Sequence, residues 1–231
     1  MARRDRFQTK LEIIKLASEM FLTQGYTEAS TKKLATELDI SYGNLGYHFP
    51  TKEHLLAELT VRLCDYHHIV MEAEIDEGKT SLLAYLLELT SMMAICDENE
   101  VAKDLYTSVY KHPMSLKLIR ASDTEKVKHI FAEYCPNWTD EDFALTENAV
   151  SGLEYASLMR ENAENAPLDS RVVKTLSVVM KAYNVPEHIR EQKIKKVLGL
   201  DYRRIGHRFI EGFTEYVGMI NERALKEAKR A

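Results

Sequence analysis

The sequence is poor in the residues that form tight turns, with nine glycines and five prolines among 231 residues. That is about half the share of an average protein, and long stretches separate these residues. Sandwiches, barrels and most α/β folds need more turns, so the composition argues against them. Apolar residues still make up 45% of the chain, which is enough for a packed core.

Signals for export, membrane insertion and disulfide bonding are also missing. No stretch approaches the roughly 20 apolar residues of a membrane span, and the N-terminus, MARRDRFQTK, has no apolar signal segment. The three cysteines, Cys64, Cys96 and Cys135, are far apart and show no CxxC spacing. This pattern is typical of reduced thiols. We therefore expect a cytoplasmic protein without a membrane partner.

Motifs for catalysis and metal binding are absent too. The eight histidines show no HExxH or HxxxH spacing, and there is no GxSxG, P-loop or GxGxxG motif. On a helix, His67 and His68 point about 100° apart and cannot chelate one ion together. Asp65 and His68 could share a metal, although a surface pair explains them as well. We expect no catalytic residue, metal ligand or cofactor, which disfavours an enzyme with a helical substrate pocket.

What the sequence does contain is a helical period in almost every segment. Leu55, Leu59, Leu63, Tyr66 and Val70 recur at steps of three or four, as on the buried face of one helix. Gly25 is expected to end the first helix in a left-handed conformation, and a long helix is expected from Thr51 to near Gly78. Further helices are predicted at about 80–96, 99–111, 114–134, 139–164, 168–183, 187–198 and 201–228.

Two short helices, at about 31–38 and 41–48, are separated by a tight turn. This is the helix-turn-helix arrangement, whose second helix fits the major groove of DNA. Charge supports this interpretation: residues 1–52 hold eight lysines and arginines, with Arg3, Arg4 and Arg6 at the start, against six acids, whereas the rest holds 23 against 30. Any all-helical protein contains similar short patterns, so spacing alone leaves packing or solvated roles open.

The landmarks of this segment occur in a specific order: Ala17, Phe21, Gly25-Tyr26, Thr31, Leu34-Ala35, Ile40-Ser41, Gly43, Leu45, Tyr47-His48-Phe49 and Lys52-Glu53. With them, residues 11–59 resemble the TetR family of bacterial transcription regulators. The resemblance implies a three-helix DNA-binding head, an all-helical C-terminal domain, a homodimer and a small-molecule effector. Gly46, where an aromatic residue is usual, and Asp39, where glycine is frequent, depart from the family pattern.

The resemblance also implies a set of DNA-binding residues. Residues 41–44 match the base-facing start of the recognition helix, and Thr31, Tyr47, His48 and Lys52 match phosphate-binding positions. The full set is Thr31, Lys32, Ser41, Tyr42, Gly43, Asn44, Tyr47, His48 and Lys52.

The remaining residues are rich in tyrosine and methionine, which can line a cavity for a small molecule. The candidates are Tyr66, Tyr85, Met92, Tyr106 and Tyr110, although most such residues form ordinary core. Nothing in the sequence specifies a charged effector.

Two stripes suit dimerisation. One has mainly small residues, Leu145, Ala149, Gly152, Ala156 and Met159; the other is a seam of Ile205, Phe209, Phe213, Tyr216 and Ile220. Either stripe could instead be buried within one subunit.

The sequence thus predicts an all-α protein with a helix-turn-helix head at 1–52 and a helical effector and dimerisation domain at 53–231. Its partners would be an operator in double-stranded DNA, a second copy and a small effector that releases a repressor. The alternative is a dimer that acts through protein contacts or stays on DNA without a switch.

Overall fold

The computed structural model describes residues 5–75, 81–159 and 166–230, and in these ranges it contains twelve α-helices and no β-strand. The helices are α1 (Arg6–Gln24), α2 (Thr31–Glu37), α3 (Tyr42–His48), α4 (Lys52–Glu74), α5 (Leu82–Glu98), α6 (Glu100–Lys111), α7 (Pro113–Phe131), α8 (Asp140–Leu158), α9 (Leu168–Ala182), α10 (Glu187–Leu198), α11 (Tyr202–Glu211) and α12 (Phe213–Ala228). The all-α prediction is confirmed. Arg3, Arg4, Gly78 and residues 160–164 lie outside the described residues. α4 ends at Glu74, before the predicted end near Gly78, and α8 ends at Leu158, before the predicted end at 164.

Side-chain caps start the helices of the head where the sequence places them. The hydroxyls of Ser30, Ser41 and Thr51 accept hydrogen bonds from backbone N–H groups in the first turns of α2, α3 and α4. Asp39, in the turn between α2 and α3, has a φ of 53°, which aspartate tolerates better than most residues. Gly25 has the expected positive φ, 84°, but its ψ of 160° lies outside the left-handed helical region.

The head shares one core with the rest of the molecule. Leu34, Leu45 and Phe49 are buried in the same cluster of apolar side chains as Ile14 and Phe21 of α1. α1 also packs against α4, α6 and α12, so the head is seated on the helical body. The predicted boundary at residue 52 coincides with the start of α4, which runs from the head into the body.

In the body, α5 is the most buried helix and is surrounded by α4, α6, α8, α9, α10 and α11. The predicted stripe of α4 faces this core, because Leu55, Leu59, Leu63 and Val70 are buried. No helix within the described ranges has the length and apolar character needed to cross a membrane.

The predicted helix 201–228 is wrong as a single helix, because α11 ends before Gly212 and α12 starts after it. The hydroxyl of Tyr66 donates to the Arg208 carbonyl, 3.0 Å away, and the N–H of Gly212 donates to the same oxygen at 3.1 Å. A Cβ at position 212 would lie 1.9 Å from the Tyr66 hydroxyl oxygen. The inserted tyrosine therefore requires glycine and interrupts the helix.

The dimerisation interpretation of that segment is wrong for three of the five residues in its seam. Ile205, Phe209 and Phe213 are buried within the subunit, since α11 packs on α5 and α12 packs on α1. The other stripe is not covered by any of the residues that the structure describes. Leu145 is 63% exposed, and Ala149, Gly152 and Ala156 beside it on α8 are exposed too. The α8 stripe remains a prediction for the dimer contact.

Candidate DNA-binding surface and effector cavity

The start of α3 is an exposed part of the head. Leu45 and Phe49 anchor the helix in the core, which turns Tyr42, Gly43 and Asn44 to the surface. Tyr42 is 57% exposed, and the Asn44 side chain is free to meet a base edge because only its backbone N–H is needed for the Ser41 cap. A short helix with this exposed N-terminal face has the form of a major-groove reader.

Cationic and aromatic side chains lie at the other end of α3. Tyr47 is 66% exposed, and the Arg6 guanidinium donates to its hydroxyl at 3.3 Å and lies 5.4 Å from its ring centre. Burial and then the charges of Lys10 and Arg6 lower the pKa of His48. The structure thus places Arg6 and Lys10 of α1 beside the predicted phosphate-binding residues, a contact that the local sequence pattern does not show.

Two other predicted phosphate contacts, Thr31 and Lys32, lie in the first turn of α2, where Lys32 is exposed. Lys52 is placed differently. Its ammonium donates to the Thr27 carbonyl at 3.0 Å and lies 4.4 Å from the centre of the Tyr26 ring. In this structure Lys52 holds the α1–α2 loop, and a phosphate contact would require its side chain to turn outward.

The loop that Lys52 holds is also bound by α6. The carboxylate of Asp104 accepts hydrogen bonds from the N–H and the hydroxyl of Thr27, at 2.7 and 2.6 Å. At the end of α6, the Nδ1 atom of His112 lies 3.1 Å from a carboxylate oxygen of Glu53, in the first turn of α4. α6 and the residue that follows it therefore contact the α1–α2 loop and the start of α4.

The same helix forms a wall of a cavity of about 50 Å³ between α4, α5, α6, α7 and α8. Four of the five predicted ligand residues, Tyr85, Met92, Tyr106 and Tyr110, line this one cavity. Tyr66 does not, because its hydroxyl is bonded to Arg208 and its ring stacks on Tyr216, with ring centres 5.2 Å apart. The prediction for Tyr66 is wrong for this reason.

The cavity is more highly charged than the sequence suggests. Lys126 of α7 donates to Glu88 of α5, and His67 of α4 lies 3.3 Å from the other oxygen of that carboxylate. Burial alone would raise the pKa of Glu88, but Lys126 and His67 overcome this effect and hold it well below its usual range. The second nitrogen of His67 lies 2.9 Å from the Tyr106 hydroxyl oxygen, which continues the network to α6.

A second acidic group lies at the α7–α8 wall. Both Tyr85 and Tyr110 donate to Glu154, at 2.7 and 3.2 Å, and Tyr183 donates to Glu147 at 2.8 Å. Burial is the main cause that raises the pKa of Asp123, Glu147 and Glu154. The charge of Glu154 adds to this effect at Asp123 and Glu147, and the charge of Glu88 adds to it at Asp123 and Glu154. Sequence reasoning missed these residues because each looks like part of a solvated helix face.

The head and the helical body define an all-helical regulator of the helix-turn-helix class. Residues 13–59 match the family model described as bacterial regulatory proteins, tetR family. Over these residues the chain matches the N-terminal helix-turn-helix of the TetR family, and the resemblance seen in the sequence is confirmed. No curated protein sequence matches the chain.

Solved structures are similar over most of the chain. One is a gamma-butyrolactone receptor (ArpA-like protein), with 15% identity, a TM-score of 0.44, and coverage of 90% of this chain and 99% of the other. Another is the TetR family protein CprB from S. coelicolor A3(2), with 16% identity, a TM-score of 0.44, and coverage of 89% and 98%.

Proposed function

We propose that this protein is a dimeric repressor that binds an operator through α3 and is released when a small effector occupies the cavity. The observation that carries this proposal is the position of α6. Tyr106 and Tyr110 of this helix line the cavity, while Asp104 of the same helix binds the α1–α2 loop of the head. His112, directly after α6, contacts Glu53 at the start of α4. A ligand that shifts α6 would therefore move the head directly.

The cavity is small in this structure. About 50 Å³ is room for a few water molecules, whereas drug-sized ligands occupy roughly 300–1,000 Å³. A larger effector would have to push the surrounding helices apart, and α6 is one of them. Expansion of the cavity would then also displace the head. The effector would bind the displaced form more tightly than the DNA-binding form, and this difference in affinity is what a ligand-driven switch requires.

Release from DNA follows from the geometry of a two-fold dimer. Two copies of α3 must be about 34 Å apart to enter successive major grooves on one face of the duplex. The exposed α8 stripe beginning at Leu145 is the surface we assign to the second copy. A change in the tilt of α4, which enters the body directly behind α3, alters the distance between the two recognition helices.

Selection of bound sequences from a random DNA pool tests the DNA-reading part of the proposal. Asn44→Ala should relax base choice at one position, at a cost of about 1–3 kcal/mol. Lys32→Ala should lower affinity evenly for all sequences and reduce the log–log salt slope by about 0.9. Asn137→Ala, an exposed asparagine in the loop between α7 and α8, is the matched control and should behave like the wild type. An unchanged motif with Asn44→Ala would refute the base-reading role.

The switch is tested with a pool of metabolites, by melting curves and by operator affinity. A true effector must raise the melting temperature and weaken operator binding. If compounds bind the cavity and operator affinity stays constant, the protein is a constitutive DNA-bound element.

A further inference from the structure

We propose that Asp123, Glu147 and Glu154 form a binding site for a divalent cation of the oxygen-preferring class: Mg²⁺, Mn²⁺ or Ca²⁺. The three side chains each offer a carboxylate oxygen, and these oxygens all lie within 4.8 Å of one another. Such cations bind oxygens at about 2.0–2.6 Å, so two ligands on opposite sides of an ion are about 4–5 Å apart. The spacing therefore allows one ion to reach all three residues.

One of these carboxylates also has a buried oxygen without a hydrogen-bond partner. Glu147 is only 1% exposed, and its Oε1 atom has no hydrogen-bond partner, while Oε2 accepts from Tyr183. A buried carboxylate oxygen without a donor is costly. A cation at the meeting point of the three carboxylates would satisfy it.

The charges around the three carboxyls leave room for a cation. Lys126 is close enough to interact with them, but its hydrogen bond goes to Glu88. Within the described residues, no lysine, arginine or histidine forms an ion pair with Asp123, Glu147 or Glu154. The nearby Arg120 donates to Ser151 instead.

The surrounding hydroxyls have the arrangement of an outer ligand shell. Tyr183 orients Glu147, and Tyr85 and Tyr110 orient Glu154, so both glutamates are fixed while lone pairs remain for an ion. Cys64 and His67 line the cavity but are not part of this group, so the donors are all oxygens, which favours Mg²⁺, Mn²⁺ or Ca²⁺ over zinc or copper. The cavity of about 50 Å³ has space for the waters that would complete the coordination shell.

Asp123 and Glu154 line the cavity that we assign to the effector and Glu147 does not, so the ion would lie at the wall of this cavity. Any regulatory meaning therefore rests on the proposed function, whereas cation binding itself does not. The test therefore uses the full chain without DNA, after treatment with EDTA and dialysis. Binding of MnCl₂, MgCl₂ and CaCl₂ is measured by calorimetry, and Mn²⁺ also by electron paramagnetic resonance. We expect one ion per chain.

Variants locate the site. Asp123→Asn and Glu147→Gln should each weaken Mn²⁺ affinity by tenfold or more. Tyr183→Phe keeps the ring stacked on Phe131 and removes only the hydroxyl, so the fold should survive while affinity falls about 10–100-fold. Glu125→Gln, an exposed carboxylate two residues from Asp123, is the matched control and should leave affinity unchanged.

Three results would overturn the proposal. The first is no binding of any of the three metals up to about 1 mM, the weak end for calcium sites. The second is Mn²⁺ binding that Asp123→Asn and Glu147→Gln do not change. The third is that the protein binds no metal but does bind methylammonium chloride, and that Asp123→Asn and Glu147→Gln weaken this binding. Loss of operator binding or of the switch, with Mn²⁺ binding intact, would refute the proposed function alone.

Discussion

Asp104 of α6 and Thr27 of the α1–α2 loop are joined by two hydrogen bonds, although 77 residues separate them in the chain. One bond comes from the backbone N–H of Thr27 and the other from its hydroxyl, so the carboxylate fixes both the position and the orientation of the loop. Lys52 binds the carbonyl of the same residue from the start of α4. The loop in front of the helix-turn-helix is thus held by α6 of the body and by the start of α4, the helix that leaves the head for the body.

Asp104→Ala should loosen this connection. Removal of the carboxylate leaves the Thr27 N–H to water, and because the contact is exposed we expect only about 1 kcal/mol of lost stability. Amide hydrogen exchange at residues 25–30 should become faster, and operator affinity should fall because the head is less well oriented. Glu100→Gln, on the exposed first turn of α6, should change neither property. Unaltered exchange in the loop of the Asp104 variant would mean that α6 does not position the head.

Gly212→Ala should destabilise the protein by about 1–3 kcal/mol, as expected for overpacking. The new Cβ would meet the Tyr66 hydroxyl oxygen at 1.9 Å, so Tyr66 or α12 must move. In the double variant with Tyr66→Phe, the loss should be smaller than the sum of the two single losses. Thermal unfolding measures all three.

Gly218→Ala is the control for this pair. Its Cβ would have only an ordinary contact, 3.9 Å from the Lys15 side chain. Because Gly218 lies inside α12, alanine there should stabilise the helix by up to about 1 kcal/mol. Equal effects at positions 212 and 218 would show that Tyr66 does not interrupt the helix.

The helix break and the charged cavity show where sequence reasoning stops. Ser30, Ser41 and the apolar stripe of α4 are local signals, because caps and periodicity act within a few residues, and the structure agrees with them. The contact between Tyr66 and Gly212 depends on two segments of the chain meeting in space, which no local pattern encodes. Likewise, Glu88 and Lys126 are 38 residues apart, and neither shows by itself that it is buried against the other.

Glu88→Gln tests the charged network through its pH dependence. Burial alone would raise the pKa of Glu88 in the folded protein. The charge of Lys126 is the main effect that opposes burial and holds this pKa below its ordinary value of 4.5. Its ionised form therefore stabilises the fold above that value, and the contribution is lost as the pH falls below it. The wild type should lose stability between about pH 6 and pH 3, and the variant should lose less over this range.

At neutral pH the same variant should be less stable by about 3 kcal/mol, because Lys126 is left buried without its carboxylate. Urea unfolding across the pH range measures both effects. Glu125→Gln removes an exposed carboxylate from the same helix as Lys126 and should follow the wild-type profile. A Glu88→Gln profile parallel to that of the wild type would show that this carboxylate is not stabilised by the fold.

Leu145→Glu should separate the proposed dimer into single chains. Leu145 is 63% exposed on the uncovered face of α8, where the small residues Ala149 and Gly152 allow a second helix to approach closely. Loss of a large apolar contact at the centre of an interface costs about 2 kcal/mol or more. A two-fold axis doubles this loss and brings two new carboxylates together.

Light scattering should give about twice 26.6 kDa for the wild type and 26.6 kDa for the variant. Met219→Glu, at a 59% exposed position on α12, should stay dimeric. Dissociation by Met219→Glu but not by Leu145→Glu would place the interface on α12, contrary to the burial of its apolar face within the subunit.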